Sequence, residues 1–132
     1  MSLSSIQDTY FYFVQKLRDA HFEFPELDVL FTIRHVFKME YAQLLGQLHH
    51  VTSAQFLEME RIIELRLQGM PLAYILGYVE FRASQYYVSD HVLIPRPETE
   101  ELVDHAQAAI HRLIQHGHSV CVYELGLGSG VI

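Results

Sequence analysis

The sequence predicts a mainly α protein in three parts. A helical domain covers residues 1–77, a β linker covers 78–96, and residues 97–132 supply one helix, one strand and a glycine loop that open an α/β sheet. Three observations predict this. Apolar residues recur at helical spacing as far as Gly69, the pattern turns to β-branched and aromatic runs after Gly77, and Gly126, Gly128 and Gly130 follow a β-like run at the end of the chain.

In the first helix Ile6, Tyr10, Phe13 and Leu17 recur at spacings of four, three and four, which gathers them on one buried, aromatic face. A second helix follows Pro25, with Leu27, Leu30, Phe31 and Phe37 as its core candidates. A short third one covers Tyr41 to Leu45 before Gly46. Thr52 and Gln55 form a capping box, the threonine capping first-turn amides while the glutamine reaches back. Phe56, Met59, Ile63 and Leu67 then mark the buried stripe of a helix that ends at Gly69. Pro71 suits the first position of a short helix closed by Gly77.

The stretch YVEFRASQYYVSDHVLIPRP surrounds a polar centre, Ala83 to Gln85, with β-formers, which reads as a hairpin or an extended linker stopped by Pro95 and Pro97. From Pro97 the helical period returns. Leu102, Ala106, Ala109 and Leu113 share a face that Val103, Ile110 and Ile114 widen, as far as Gly117. SVCVYEL then reads as a buried strand, and the single cysteine, Cys121, as a small apolar side chain inside it.

Composition narrows the function. Half of the 132 residues are hydrophobic and 19% are charged, a soluble globular balance that opposes disorder. The formal charge of −7 disfavours a surface built to hold phosphates, so direct nucleic-acid binding is not expected. No apolar run reaches the roughly 18 residues that cross a bilayer, and the first basic residue is Lys16, so neither a membrane span nor a leader is expected and the chain reads as cytoplasmic. Nine histidines invite a metal site, yet His111 and His116 fall on different helical faces, and neither an H-E-x-x-H nor a paired-cysteine pattern is present. They read, with His49, His50 and His118, as surface histidines. The aromatic clusters Tyr10 to Phe13 and Phe22 to Phe24 read as core rather than as platforms for bases.

A strand followed by G-x-G-x-G lets backbone amides approach an anion or a ribose, because glycine lacks the Cβ that would block contact. A plain glycine-rich turn shares the same pattern, so the neighbourhood decides. Pro71-Leu72-Ala73-Tyr74-Ile75-Leu76-Gly77, Phe81, and Leu93-Ile94-Pro95-Arg96-Pro97-Glu98-Thr99-Glu100, followed by Glu124-Leu125-Gly126-Leu127-Gly128-Ser129-Gly130, resemble the junction region of the HemK-type methyltransferases. Members of that family methylate a glutamine side-chain nitrogen in peptide-chain release factors. The resemblance covers about residues 25–132 and implies a helical substrate-recognition domain over 1–77 and a β-hairpin over 78–96. It implies the start of a Rossmann-like S-adenosylmethionine domain over 97–132.

The same resemblance implies the site residues. Gly126, Leu127, Gly128, Ser129 and Gly130 match the cofactor loop. Glu124 stands where the family usually shows Asp, one methylene longer, to hold loop amides or the cofactor's ammonium group. Pro97, Glu98 and Thr99 sit beside that loop in the family, and as a bare sequence they also start a helix. Arg96, between two prolines, faces the substrate or makes a structural ion pair. The Asn-Pro-Pro-Tyr loop that would hold the acceptor amide, and with it every catalytic residue, is expected downstream of Ile132, so the chain reads as cut inside the cofactor loop and its opening Met-Ser-Leu as an expression scar. An amide nitrogen is a weak nucleophile, so transfer needs acceptors that orient its lone pair, and positioning supplies most of the rate. The 132-residue chain is therefore expected to be inactive and to bind S-adenosylmethionine weakly or not at all. Its expected partners are release factors, with self-association through a sheet edge carrying Val120, Val122 and Leu125. A free-standing helical protein-binding module is the second reading. A DNA-adenine methyltransferase, opposed by the negative charge, is a weaker third.

Overall fold

The computed structural model describes residues 5–39 and 50–132. The helix expected over Tyr41 to Leu45, the opening Met-Ser-Leu and His49 lie outside them. Two units divide the chain, Met1–Leu76 and Gly77–Ile132.

Among the described residues of the first unit are helices α1 (Ile6–Asp19), α2 (Pro25–Phe37), α3 (Ser53–Leu67) and α4 (Leu72–Leu76). Ser5 caps α1, its hydroxyl oxygen accepting the Asp8 N–H at 3.1 Å. The helix ends in a reciprocal pair of bonds: the His21 N–H donates to the Arg18 carbonyl at 2.9 Å and the Phe22 N–H to the Leu17 carbonyl at 3.1 Å. This geometry requires a left-handed residue after the cap, and His21 supplies it at φ +61°. α3 starts with the expected capping box: Thr52 Oγ1 accepts the Gln55 N–H at 3.2 Å and Gln55 Oε1 accepts the Thr52 N–H at 3.0 Å. It ends with the same reciprocal pattern over Gly69, at φ +93°.

The core of this unit joins Phe13, Val14 and Leu17 of α1, Val29 and Ile33 of α2, and Met59 and Ile63 of α3, with Phe56 and Leu67 packed against them. Thr9 and Thr32 are buried beside these residues. Each hydroxyl donates to a carbonyl four residues back, Ser5 at 2.9 Å and Asp28 at 2.8 Å, so neither brings an unsatisfied group inside. The α1 and α3 faces match the expected stripes, while that of α2 does not. Val29, Thr32 and Ile33 point inward, Leu30, Phe31 and Phe37 are half-buried, and Leu27 is exposed. The aromatic clusters also divide: Phe13 is buried and Phe22 packs against the core, whereas Phe11, Tyr12 and Phe24 are exposed. Ion pairs brace the helices. Lys16 pairs with Glu64 and Arg18 with Glu26, and Arg66 Nε meets Asp28 Oδ2 at 2.8 Å while its guanidinium lies 4.5 Å above the Phe22 ring.

In the second unit β1 (Tyr78–Phe81) and β2 (Ser84–Tyr87) pair antiparallel, Tyr78 opposite Tyr87 and Phe81 opposite Ser84. The Val88 N–H extends the ladder to the Gly77 carbonyl at 3.1 Å. Arg82 and Ala83 make the turn, one residue before the expected polar centre. Phe81 is buried, and a one-residue slip of pairing would turn it outward. α5 (Glu98–Gln115) follows and closes over Gly117 at φ +81°.

Phe81, Val88 and Val103 are the buried apolar side chains here. Of the apolar face expected on α5, Val103 alone is buried, and Leu102, Leu113 and Ile114 are exposed. Residues 119–125, expected as a buried strand, are not a strand, and Cys121 is exposed. The physical reason is pairing. A strand's N–H and C=O groups are satisfied by neighbouring strands, and among the described residues the sheet contains β1 and β2, which pair with each other. The class is nonetheless the expected one, mainly helical with a small antiparallel hairpin.

Candidate functional site

The site residues expected from sequence fall into two groups within the second unit. The first opens α5. Pro97 stands at the helix cap with φ −54° and ψ −36°, already helical, because its ring presets that angle. The Arg96 carbonyl accepts the Thr99 N–H at 3.0 Å and the Pro97 carbonyl accepts the Glu100 N–H at 3.0 Å. Glu98, Glu100 and Glu101 crowd the first turn, where the helix dipole favours negative charge. Arg96, Pro97 and Glu98 are exposed and Thr99 is half-buried.

The second group is the glycine loop. Gly126, Gly128 and Gly130 all stand in the left-handed region, at φ +78°, +55° and +73°. Conformation, not space, requires glycine here. A Cβ at Gly126 or Gly130 would meet nothing within 4 Å, and one at Gly128 would stand 3.7 Å from the Gly126 carbonyl oxygen, an ordinary contact. The Gly130 N–H donates to the Leu127 carbonyl at 2.8 Å and closes a turn. Glu124 and Leu127 are exposed, and Ser129 and Gly130 half-buried. Among the described residues no hydrogen bond or ion pair joins the loop to Arg96–Thr99. The loop's open face and alternating left-handed glycines fit one wall of a holder for an anionic or sugar-bearing cofactor, since such backbone lets amides approach a ligand closely.

One cluster escaped the sequence reading. Arg82, in the hairpin turn, meets Glu100, Asp104 and Gln107 of α5. The signal was present in the four-and-three spacing of those residues, which places them on one helical face. Among the described residues no three His, Cys, Asp or Glu side chains gather as a metal site would require. His116 Nδ1 lies 2.7 Å from the Arg112 carbonyl of its own helix. No described helix is long and apolar enough to cross a membrane.

A family model for the PrmC N-terminal domain matches residues 11–77, half of the chain and nearly all of the helical unit. The chain belongs to the PrmC N-terminal domain family. Its relatives extend the likeness beyond that domain. A release factor glutamine methyltransferase of Mycoplasma mycoides subsp. mycoides is 27% identical over 128 residues, 96% of this chain and 44% of the relative. One of Neisseria gonorrhoeae is 47% identical over 73 residues, 55% of this chain and 24% of the relative. One of Aliivibrio fischeri is 34% identical over 120 residues, 90% of this chain and 40% of the relative. The chain thus spans less than half the length of these curated relatives. The PrmC N-terminal domain accounts for the helical unit. The wider alignments carry the resemblance into the hairpin and α5.

Proposed function

We propose that this chain is the N-terminal part of an S-adenosylmethionine-dependent methyltransferase that methylates the glutamine side-chain nitrogen of peptide-chain release factors. The observation that carries the reading is the match of the helical unit to the PrmC N-terminal domain together with relatives, named release factor glutamine methyltransferases, that align across most of the chain. The helical domain over 1–77 docks the release factor, the hairpin over 78–96 aims it, and residues 97–132 begin the cofactor domain. Bound there, S-adenosylmethionine supplies an electrophilic methyl group. The amides of Gly126, Leu127, Gly128, Ser129 and Gly130 hold it, and Glu124 accepts from its ammonium group or from loop amides. Pro97, Glu98 and Thr99 border the loop, and Arg96 faces the substrate. No Asn-Pro-Pro-Tyr occurs among the 132 residues, so acceptors for the two amide N–H bonds are missing from this chain. It does not transfer methyl groups by itself.

Calorimetric titration tests the division of labour. The 132-residue chain is expected to bind a release factor saturably and S-adenosylmethionine weakly or not at all. Failure to bind release factor would remove the docking role, and transfer of labelled methyl to glutamine by this chain alone would remove the claim of inactivity. A second reading, a helical protein-binding module without catalysis, is favoured by the helical unit's own contiguous core. Activity in a polypeptide that joins this chain to the remainder of a relative's catalytic domain decides for the enzyme. Persistent inactivity with intact release-factor binding decides for the module. The exposed Val122 and Leu125 further support self-association of the 132-residue chain, and a mass measured by sedimentation that stays at the 15.4 kDa monomer value at every concentration would refute it.

A further inference from the structure

The hairpin turn is built from residues that resist its backbone. Arg82 and Ala83 stand at φ +47° and +59°, a region that costs an L-residue about 1–2 kcal/mol and that two-residue hairpin turns normally fill with Asn-Gly. Such conformations persist where the surroundings over-determine them. Here the surroundings are one face of α5. The Arg82 backbone N–H donates to Glu100 Oε1 at 3.0 Å, and its Nη2 meets Asp104 Oδ1 at 2.7 Å and donates to Gln107 Oε1 at 3.3 Å. Glu100 in turn gives its own backbone N–H to the Pro97 carbonyl. One residue therefore links the hairpin turn to the Arg96–Thr99 segment.

We propose that Arg82 is a positioning residue that pins the β-hairpin to α5, so that hairpin and Arg96–Thr99 behave as one body. An isolated exposed ion pair contributes little, but Arg82 brings a backbone bond, an ion pair and an amide contact to a single point. The pin's functional meaning rests on the methyltransferase reading: it fixes the substrate-aiming hairpin against the segment that borders the cofactor loop.

Amide hydrogen exchange on the 132-residue chain tests the pin, with Val88 and the β1 and β2 amides as reporters and the α5 amides as the folding control. R82D and D104R are each expected to speed hairpin exchange about threefold, and the R82D/D104R double variant to return it to within about twofold of the starting protein, as an exchanged ion pair would. A purely local turn preference gives no such rescue. R82A provides a milder variant and is expected to shift exchange in the same direction. Hairpin exchange unchanged in R82A and R82D overturns the proposal. So does a double variant no better than the worse single one, or loss of α5 protection in R82D that the double variant does not restore. Methyl transfer plays no part in the measurement, so failure of the pin leaves the methyltransferase reading intact, and failure of that reading leaves the pin intact.

Discussion

Two histidines of the helical unit show how single residues set its stability. His21 adopts φ +61° to close α1, a conformation that glycine takes without the steric cost of a Cβ. His21→Gly is expected to stabilise the unit by about 0.5–1 kcal/mol once the entropy of the freer unfolded glycine is deducted, read as a higher urea midpoint at unchanged slope. His35, half-buried on α2, is held below its ordinary value of 6.5, first by burial and then by the positive charge of Lys38. The unfolded chain therefore takes up this proton more readily than the folded one. The contribution is complete above 6.5 and is lost as pH falls below that value through the folded one. Glu26 and Glu58, held low by Arg18 and Arg61, act with the same sign, but only toward and below the carboxylate value of 4.5. Between about pH 7.5 and 5.5 the urea midpoint should therefore fall, and in His35→Gln fall less; equal slopes in the two proteins would contradict this.

At the scale of helices, Arg66 joins three pieces: Asp28 on α2, the Phe22 ring between α1 and α2, and the Met70 carbonyl beyond its own helix end at 3.5 Å. Its side chain and that of Asp28 are 24% and 15% exposed, against 53% and 42% for Arg61 and Glu58. Arg66→Ala should cost about 2–3 kcal/mol, because it strands a largely buried carboxylate, whereas Arg61→Ala should cost about 0.5 kcal/mol. Chemical denaturation of the two variants gives the comparison directly. Among the described residues the helices, and the ends marked by Pro25, the capping box at Thr52 and Gly69, were legible in the sequence, since these are local signals. The inward face of α2 was not, because VLFTIRHVF is apolar around most of its circumference and offers little contrast. A threonine that satisfies itself within its helix also leaves no polar mark of its burial.

Across the whole chain, legibility follows how local each interaction is. The α5 stop at Gly117 depends on near neighbours and could be read closely, whereas the hairpin was legible only as a hairpin or an extended linker around Ala83 to Gln85, without its register. Burying SVCVYEL, Cys121 and the α5 stripe needs packing partners from elsewhere in a fold, and among the described residues no strand beyond β1 and β2 lies beside them, so apolar pattern alone overstated it. The glycine loop was legible as backbone chemistry, while its relation to Arg96–Thr99 came from the family resemblance alone, because spacing along a chain carries no information on distance between two loops. The same contrast sets the distribution of stability. The helical unit buries Phe13, Leu17, Val29, Met59, Ile62 and Ile63 completely, and the second unit relies on Phe81, Val88 and Val103. At about 1.5–3 kcal/mol for each buried apolar side chain, the second unit gains far less against its ordering entropy. Native-state amide exchange should therefore show the slowest amides in α1 and α3 around Phe13 and Ile63. The α5 amides should exchange at least tenfold faster, roughly 1.4 kcal/mol less protected. Equal protection in the two units would mean that the exposed face of α5 is covered in solution, and the self-association proposed for this chain would then be the first place to look for its cover.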